Sequence, residues 1–360
     1  MPDTYNNIKL QEHIDNFQNL SEYFNGFIEG KGVSGVLANK ILMTEIEKTE
    51  IHNGFFNRQN IILALKSIID MLNKQKTEEW INKYRDLLLQ NRTTARVGVV
   101  MAGNIPLVGF HDFLCVLMCG HVFIGKLSSN DMYLLPALAD ILKTIDSRYE
   151  NLIQFTDDKL HGFDAVIATG SNNTSRYFEY YFSKYPHIIR KNRNSLAVIS
   201  GNENDNQLQL LSNDIFRYFG LGCRNVSKIF LPKDFDMQRF INAMRSWDFI
   251  IDHNKYKNNY DYYKTILIMD EKPFIDAGFF MMCEDTSLHA PISVLNYEFY
   301  DDISRVEDYI HVNEEMIQCV ASEKPFTFKT IPFGKTQSPE LWDYADNVDT
   351  MKFLLSLKTD

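Results

Sequence analysis

No G-x-G-x-x-G fingerprint follows any strand-like run in this chain, so the ordinary dinucleotide-binding turn is missing. No apolar run reaches the ~18 residues that a membrane-crossing helix needs. The first residues, Met1-Pro-Asp-Thr-Tyr-Asn-Asn, have neither the basic start nor the apolar core of a signal peptide, and a cytoplasmic location is the expectation. Cysteine is scarce and odd in number, five in 360 residues, at positions 115, 119, 223, 283 and 319. Cys115 and Cys119 lie four apart in an apolar helical stretch with no second pair at ligand spacing, which argues against a zinc site and a disulfide framework, so no metal is expected. Positive charge is short too. With 37 Lys and Arg against 47 Asp and Glu the net charge is −10, and the longest basic cluster is Arg190, Lys191 and Arg193. An acidic chain without a basic stripe argues against nucleic acid as the main partner.

What is present is a globular composition, 45% hydrophobic and 23% charged, in a chain long enough for two cores. Phe (26) and Tyr (18) are abundant enough to fill those cores, with some left over to line an apolar channel. Residues 10–90 are mostly helical by the three-and-four spacing of their apolar positions. From Arg96 the pattern changes to strand, helix, strand, helix, strand. The runs are Val97–Met101, Val122–Lys126 and Ala165–Ala168, with helices reaching Cys119, over Met132–Ile145 (Ser128 and Ser129 as caps) and over Ser175–Lys184. This is the order of an open parallel sheet whose ligand crevice lies at the strand carboxyl ends. Ser195–Ile199 begins a second domain. It continues through a helix, the bend Gly220-Leu-Gly-Cys-Arg224 and strands at Lys228–Pro232, Thr265–Met269 and Ile292–Leu295. The expected division is a cofactor domain with a helical N-terminal region over 1–194, a catalytic domain over 195–335 and a C-terminal tail over 336–360.

Four short segments carry chemistry, and each has a plainer reading beside it. Cys223 sits in a glycine-punctuated bend where a substrate carbonyl could approach the sulfur and backbone N–H groups could face an oxyanion; a buried structural cysteine is the commoner fate. Asn104 follows a strand, in Gly103-Asn-Ile-Pro106, where its amide could donate to an oxyanion or simply make a turn. Lys126 ends a strand with Ser128 and Ser129 behind it, suited to ribose hydroxyls or a phosphate, or to solvent alone. Gly170 and Ser171 lie between a strand and a helix, a natural place for a pyrophosphate.

As an ordered set the four segments resemble the aldehyde dehydrogenase superfamily over roughly residues 95–340. Val100-Met-Ala-Gly-Asn-Ile-Pro-Leu107 is similar to the segment with the oxyanion asparagine. Cys119-Gly-His-Val-Phe-Ile-Gly-Lys-Leu-Ser-Ser129 is similar to the strand with the cofactor lysine, Leu127 replacing a proline. Ala168-Thr-Gly-Ser-Asn-Asn-Thr-Ser-Arg176 is similar to the cofactor turn, with Ser175 in place of its last glycine. Phe219–Pro232 is similar to the nucleophile segment and the strand after it. The Gly-Asn-Ile-Pro form, the short chain and the ending Pro332-Phe-Gly-Lys-Thr-Gln-Ser-Pro-Glu-Leu341 are closest in character to the LuxC-like acyl-CoA reductases within that superfamily. The resemblance implies an aldehyde dehydrogenase-like α/β fold, with a Rossmann-type open parallel-sheet cofactor domain and an α/β catalytic domain.

It also implies an activity: NADPH-dependent reduction of a long-chain fatty acyl-CoA, or another acyl thioester, to the aldehyde through a Cys223-bound acyl group. Asn104 and the Cys223 N–H would hold the oxyanion, and Lys126, Ser128, Ser129, Gly170 and Ser171 the cofactor. Two departures qualify the likeness. The glutamate that hydrolytic relatives carry before the catalytic domain is absent, with Arg190 or a neighbour in its place, which fits acyl exchange with a thiol better than hydrolysis. Ser287 replaces the glutamate that holds the nicotinamide ribose. Ser129 stands where NAD-preferring relatives often have an acid, so NADPH is favoured, while Asp131 keeps NADH open. The proton donor is open among His253, Glu284 and His289. Alternative readings are a small-aldehyde or acyl-phosphate oxidoreductase, or a catalytically silent nucleotide-binding subunit. An acyl-activating synthetase partner and a homo-oligomer are further expectations from the family.

Overall fold

The computed structural model describes residues 8–30, 36–90 and 93–358, in two compact units: the chain up to Lys191 together with residues from Pro339 onward, and residues 192–338. The first unit is built on five strands, β1 (Arg96–Val100), β2 (Val122–Lys126), β3 (Ile153–Thr156), β4 (Ala165–Thr169) and β5 (His187–Arg190). They pair in the order β3-β2-β1-β4-β5, all parallel. β1, β2 and β4 are short runs of Val, Ile, Phe and Ala with nearly every side chain buried, the signature of strands covered on both faces. The order reverses between β1 and β4, so the loops leaving those two strands flank the topological switch point, where open α/β sheets bind ligands.

Helix Phe110–Met118 packs on β1 and β2, and helix Asn172–Phe182 on β4 and β5. The first helix, Leu10–Ile28, sets the Phe17 ring edge-on against Phe110, Phe113 and Tyr149, so the N-terminal helices belong to this core. The C-terminal residues are not a detached tail. Helix Thr350–Leu355 lies on Phe110–Met118, the Leu341 carbonyl accepts from His111 at 2.9 Å, and the Tyr344 hydroxyl accepts from Trp80 at 2.8 Å.

The second unit contains β6 (Asn194–Val198), β7 (Val226–Pro232), β8 (Ile275–Asp276), β9 (Met281–Glu284), β10 (Val294–Tyr300) and β11 (Ile317–Ala321). Their order is β11-β6-β7-β10-β9-β8, parallel throughout except for the antiparallel β8. One cluster of the core joins Leu196, Val198, Phe230, Val306 and Val320. The run Thr265–Met269, a strand by local composition, is instead the end of helix Asn254–Met269. Tyr256, Tyr260 and Leu267 are its buried face, spaced four and seven apart, while Ile268 and Met269 are 60% and 73% exposed. Helical periodicity over the whole segment overrides the strand preference of five β-branched and aliphatic residues.

Candidate functional site

In the first unit, the chain leaving β1 bends sharply at Ala102-Gly-Asn104. A Cβ on Gly103 would fall 2.3 Å from Ser128 Oγ, so the bend presses against the segment that follows β2 in a way only glycine permits. Asn104 is half-buried there, directly after the strand. The bend is fixed from behind by Asp131, whose carboxylate accepts from the Leu107 N–H at 2.9 Å while Leu107 itself holds a left-handed φ of 59°. Asp131 is therefore buried and committed to the fold.

Burial pushes the Asp131 carboxyl up to about 6, against the pull of the N–H groups of Leu107 and Leu134. Because this is above its unfolded value of 3.8, its contribution to stability is full below about 3.8 and is lost as pH rises through about 6. Buried His13, bonded to Tyr149 at 2.8 Å, works oppositely: burial lowers it from 6.5 to about 4, and its contribution, present above 6.5, is lost as pH falls through about 4. The expected outcome for Asp131→Asn is a thermal midpoint that drops more steeply than wild type as pH falls from about 6 to about 4, because the compensating carboxyl is gone. Midpoints that run parallel across that window would refute the assignment.

Lys126 ends β2, paired with Val100 of β1, and its ammonium donates to the carbonyls of Asp157 at 2.7 Å and Asp158 at 3.0 Å. An ammonium has three donors, so this tether leaves capacity for a ligand. Ser128 does not cap a helix: it bridges to Asp131, and its Oγ accepts from the Asn130 N–H at 3.3 Å. Ser129 is exposed, with its carbonyl bonded to His52. The next helix starts at Leu134 with no side-chain cap.

After β4, Gly170 lies so close to the following helix that a Cβ would sit 2.9 Å from the Phe178 ring. Ser171 caps that helix, its Oγ accepting from the Thr174 N–H at 3.2 Å. Ser175, the departure from the expected glycine, is buried and turns its hydroxyl back to the Asn172 carbonyl at 2.9 Å, so the first helical turn keeps its shape. A capped eleven-residue helix beginning at the switch point offers N–H groups and a positive dipole end to a pyrophosphate, and these residues fit a dinucleotide. Arg190, which stood at the place of the missing glutamate, takes no part in such a site. It is buried at the end of β5, with its guanidinium forked onto Asp112 at 2.5 and 2.9 Å and bonded to Thr350 at 3.0 Å.

In the second unit, Cys223 is half-buried in a turn whose shape is built by its neighbours. After helix Asp205–Phe216 and the extended Arg217 come three successive left-handed residues, Tyr218 (φ 53°), Phe219 (φ 58°) and Gly220 (φ 76°). Two of these are bulky, a conformation that costs energy and persists only where the surroundings impose it. Asn225 imposes it: its amide donates to the carbonyls of Asp214, Ile215 and Arg217, and its Oδ1 accepts from the Gly222 N–H at 2.7 Å. Ser195 Oγ donates to the Cys223 carbonyl at 3.0 Å and lies 3.1 Å from Cys319 Sγ.

Of the three candidate proton donors, His253 is the one in contact with this turn, its ring on Phe219 at a centroid distance of 4.4 Å. Glu284 and His289 are exposed at the end of β9 and in the loop beyond. The motif Pro332–Leu341 also has a local reason. Buried Asp214 accepts from the N–H groups of Gly334 at 2.6 Å and Thr336 at 3.0 Å, and Gly334 holds a φ of 80°.

The loop Asp285–His289, which includes Ser287, is held by residues that the sequence did not mark. Each of its five carbonyls accepts from a side chain: Asp285 from Lys228, Thr286 from Tyr309, Ser287 from Asn296, Leu288 from Ser227 and His289 from Asn296. Lys228 is fully buried, paired with Glu298 and flanked by the rings of Phe230 and Tyr309, each 5.2 Å away. A lysine directly before the apolar run Ile229-Phe-Leu231 was the available signal.

Among the described residues no group of acidic, histidine or cysteine side chains could hold a metal ion, and no helix is long and apolar enough to cross a membrane. The sequence model of the acyl-CoA reductase (LuxC) family matches residues 40–244. A search of the curated proteins gives no match. Among solved structures, the chain is similar to an aldehyde dehydrogenase from Mycobacterium tuberculosis complexed with NAD+, at 12% identity over 81% of this chain and 70% of that one, with a TM-score of 0.56. It is similar to the Delta-pyrroline-5-carboxylate dehydrogenase of the same organism at 12% identity, over 95% and 70% of the two chains, with a TM-score of 0.60. For HpcC from Thermus thermophilus the values are 13%, 85% and 68%, with a TM-score of 0.59. These likenesses show the fold that the sequence suggested, an aldehyde dehydrogenase-like α/β architecture.

Proposed function

Since the chain belongs to the acyl-CoA reductase (LuxC) family and is an oxidoreductase, we propose that it reduces a long-chain fatty acyl-CoA to the aldehyde, with NADPH as donor and the acyl group carried on Cys223. The observation that carries this reading is the Cys223 turn: a half-buried free cysteine in a bend imposed by Asn225, following three left-handed residues. The Cys223 thiolate attacks the thioester carbonyl, the C–S bond to CoA breaks, and CoA leaves as the thiol. The Asn104 amide donates to the oxyanion in that step. A bound reduced nicotinamide would supply the hydride for the acyl carbon; Cys223 then leaves as the thiolate and the aldehyde departs. Lys126, Ser128 and Ser129, with Gly170 and Ser171 at the helix N-terminus, hold the dinucleotide. Ser129 is neutral and Asp131 is buried, so neither position sets an exposed acid against a 2′-phosphate, which supports NADPH over NADH. Arg190, spent in its pair with Asp112, supplies no base to activate water, which supports transfer from and to a thiol rather than hydrolysis.

The test is cofactor oxidation followed by absorbance with a short and a long acyl-CoA, each offered with NADPH and with NADH. Faster turnover with the long chain and with NADPH is expected. Equal rates on a small acyl-phosphate, or oxidation of small aldehydes without any acyl exchange with CoA, would overturn the proposal.

A further inference from the structure

Ser195 ties the Cys223 turn to the sheet, and the sheet is irregular on both sides of it. The residue lies at the start of β6, fully buried, with its Oγ donating to the Cys223 carbonyl at 3.0 Å. Against β7 the pairing steps from Ser195 and Val226 to Leu196 and Lys228, which leaves Ser227 over. Against β11 it steps from Asn194 and Ile317 to Leu196 and Val320, so Gln318 and Cys319 together face Ser195. Bulges are uncommon between parallel strands, and beside active sites they re-aim a side chain. Here the slack in β11 sets Cys319 Sγ 3.1 Å from Ser195 Oγ, and the extra Ser227 of β7 donates to the Ser195 carbonyl at 3.4 Å.

The donor order follows from counting hydrogens. A serine hydroxyl has one, and Ser195 gives it to the Cys223 carbonyl, so the contact with Cys319 uses the thiol hydrogen. Burial pushes the Cys319 thiol up to about 11, so that hydrogen is kept at neutral pH. The bonds then run one way, thiol to hydroxyl to carbonyl, and each polarises the next. Asn225 holds the Gly222 N–H one residue before the nucleophile, and Ser195 holds the peptide unit directly after it. With the main chain fixed on both sides, the direction of the Cys223 Cα–Cβ bond is fixed as well. We infer that Ser195 is a positioning residue that aims the Cys223 sulfur at the bound acyl carbonyl, with Cys319 supporting it as hydrogen-bond donor. The inference rests on the nucleophile reading of Cys223 and assigns what aims that nucleophile.

The test follows acylation of Cys223 by a long-chain acyl-CoA without cofactor, by mass, over a range of acyl-CoA concentrations. Alkylation of the same residue by iodoacetamide is followed beside it. Acylation needs the sulfur aimed at a bound carbonyl, whereas a small free reagent approaches from any open side. Ser195→Ala is expected to slow saturated acylation by about tenfold or more, against the ~10²-fold that a misplacement of ~1 Å can cost. The concentration giving half the maximal rate and the iodoacetamide rate should both stay near wild type, although a general loosening of the turn would move all three. Cys319→Ser keeps a donor and is expected to match wild type, with Cys319→Ala falling between wild type and Ser195→Ala. Wild-type acylation in Ser195→Ala, an iodoacetamide rate that changes in step with acylation, or a Cys319→Ser no faster than Cys319→Ala would overturn the inference and leave Cys223 as nucleophile. Absence of acylation from wild type would remove the nucleophile reading itself, and this inference with it.

Discussion

Cys223→Ala is expected to lose acyl-CoA reduction by at least ~10⁴-fold and to show no acyl adduct by mass, while still folding. Removing a covalent nucleophile leaves only the catalysis that binding and oxyanion stabilisation provide. The fold should tolerate the change because the turn is held through main-chain atoms. Ser195 bonds the carbonyl of residue 223 and Asn225 bonds the N–H of residue 222, and alanine keeps both. Asn104→Ala makes the informative contrast: the thiol should still be acylated, with turnover reduced ~10²–10³-fold, the usual worth of one oxyanion donor. Turnover near wild type in Cys223→Ala would move the search to Cys319, the thiol that Ser195 links to the same turn.

Asp112→Ala should destabilise the first unit by about 3–5 kcal/mol, although Asp112 is given no chemical role. Its carboxylate is the counter-charge of a guanidinium that is itself buried, with side-chain exposures of 9% and 7%. Deleting it leaves an isolated charge in the core joining helix Phe110–Met118, β5 and helix Thr350–Leu355. In a unit of about two hundred residues that corresponds to a fall of roughly 10 °C in thermal midpoint. Replacing both partners together, Asp112→Leu with Arg190→Met, should recover most of the loss, since a buried pair is worth little more than an apolar pair of the same shape. A single variant as stable as wild type would mean that Arg190 reaches solvent, against its burial.

The chain made some of this legible and hid the rest for a physical reason. Asn104, Lys126, Gly170 and Cys223 each follow a strand or lie in a glycine-marked bend, so a few contiguous letters reveal both the residue and its placement. The parallel order of β1, β2 and β4 was likewise readable from fully apolar runs separated by helices. The edge strands β3 and β5 escaped because their exposed positions break the apolar run: Gln154 is exposed in one and His187 in the other. Helix Asn254–Met269 was misread at its end, where Thr265-Ile-Leu-Ile-Met269 taken alone has strand composition. Arg190 and Asp112 are 78 residues apart, and Lys228 and Asp285 are 57 apart, so neither contact leaves a local trace.

The grip on Asp285–His289 has a bearing on how this segment tolerates change. The holds from outside the loop fall largely on main-chain carbonyls, so its course is set by Ser227, Lys228, Asn296 and Tyr309, with Asp285 and Ser287 bonding within it and nothing contributed by the exposed side chains at 286 and 289. Positions 286 and 289 are free to drift without displacing the backbone, whereas a change at 287 removes the hydroxyl that donates to the His289 carbonyl. Substitutions at the four gripping residues, two of them on β7, have no such freedom, because each would release main-chain carbonyls of the loop, which lie 57 and 61 residues away for Lys228 and Ser227.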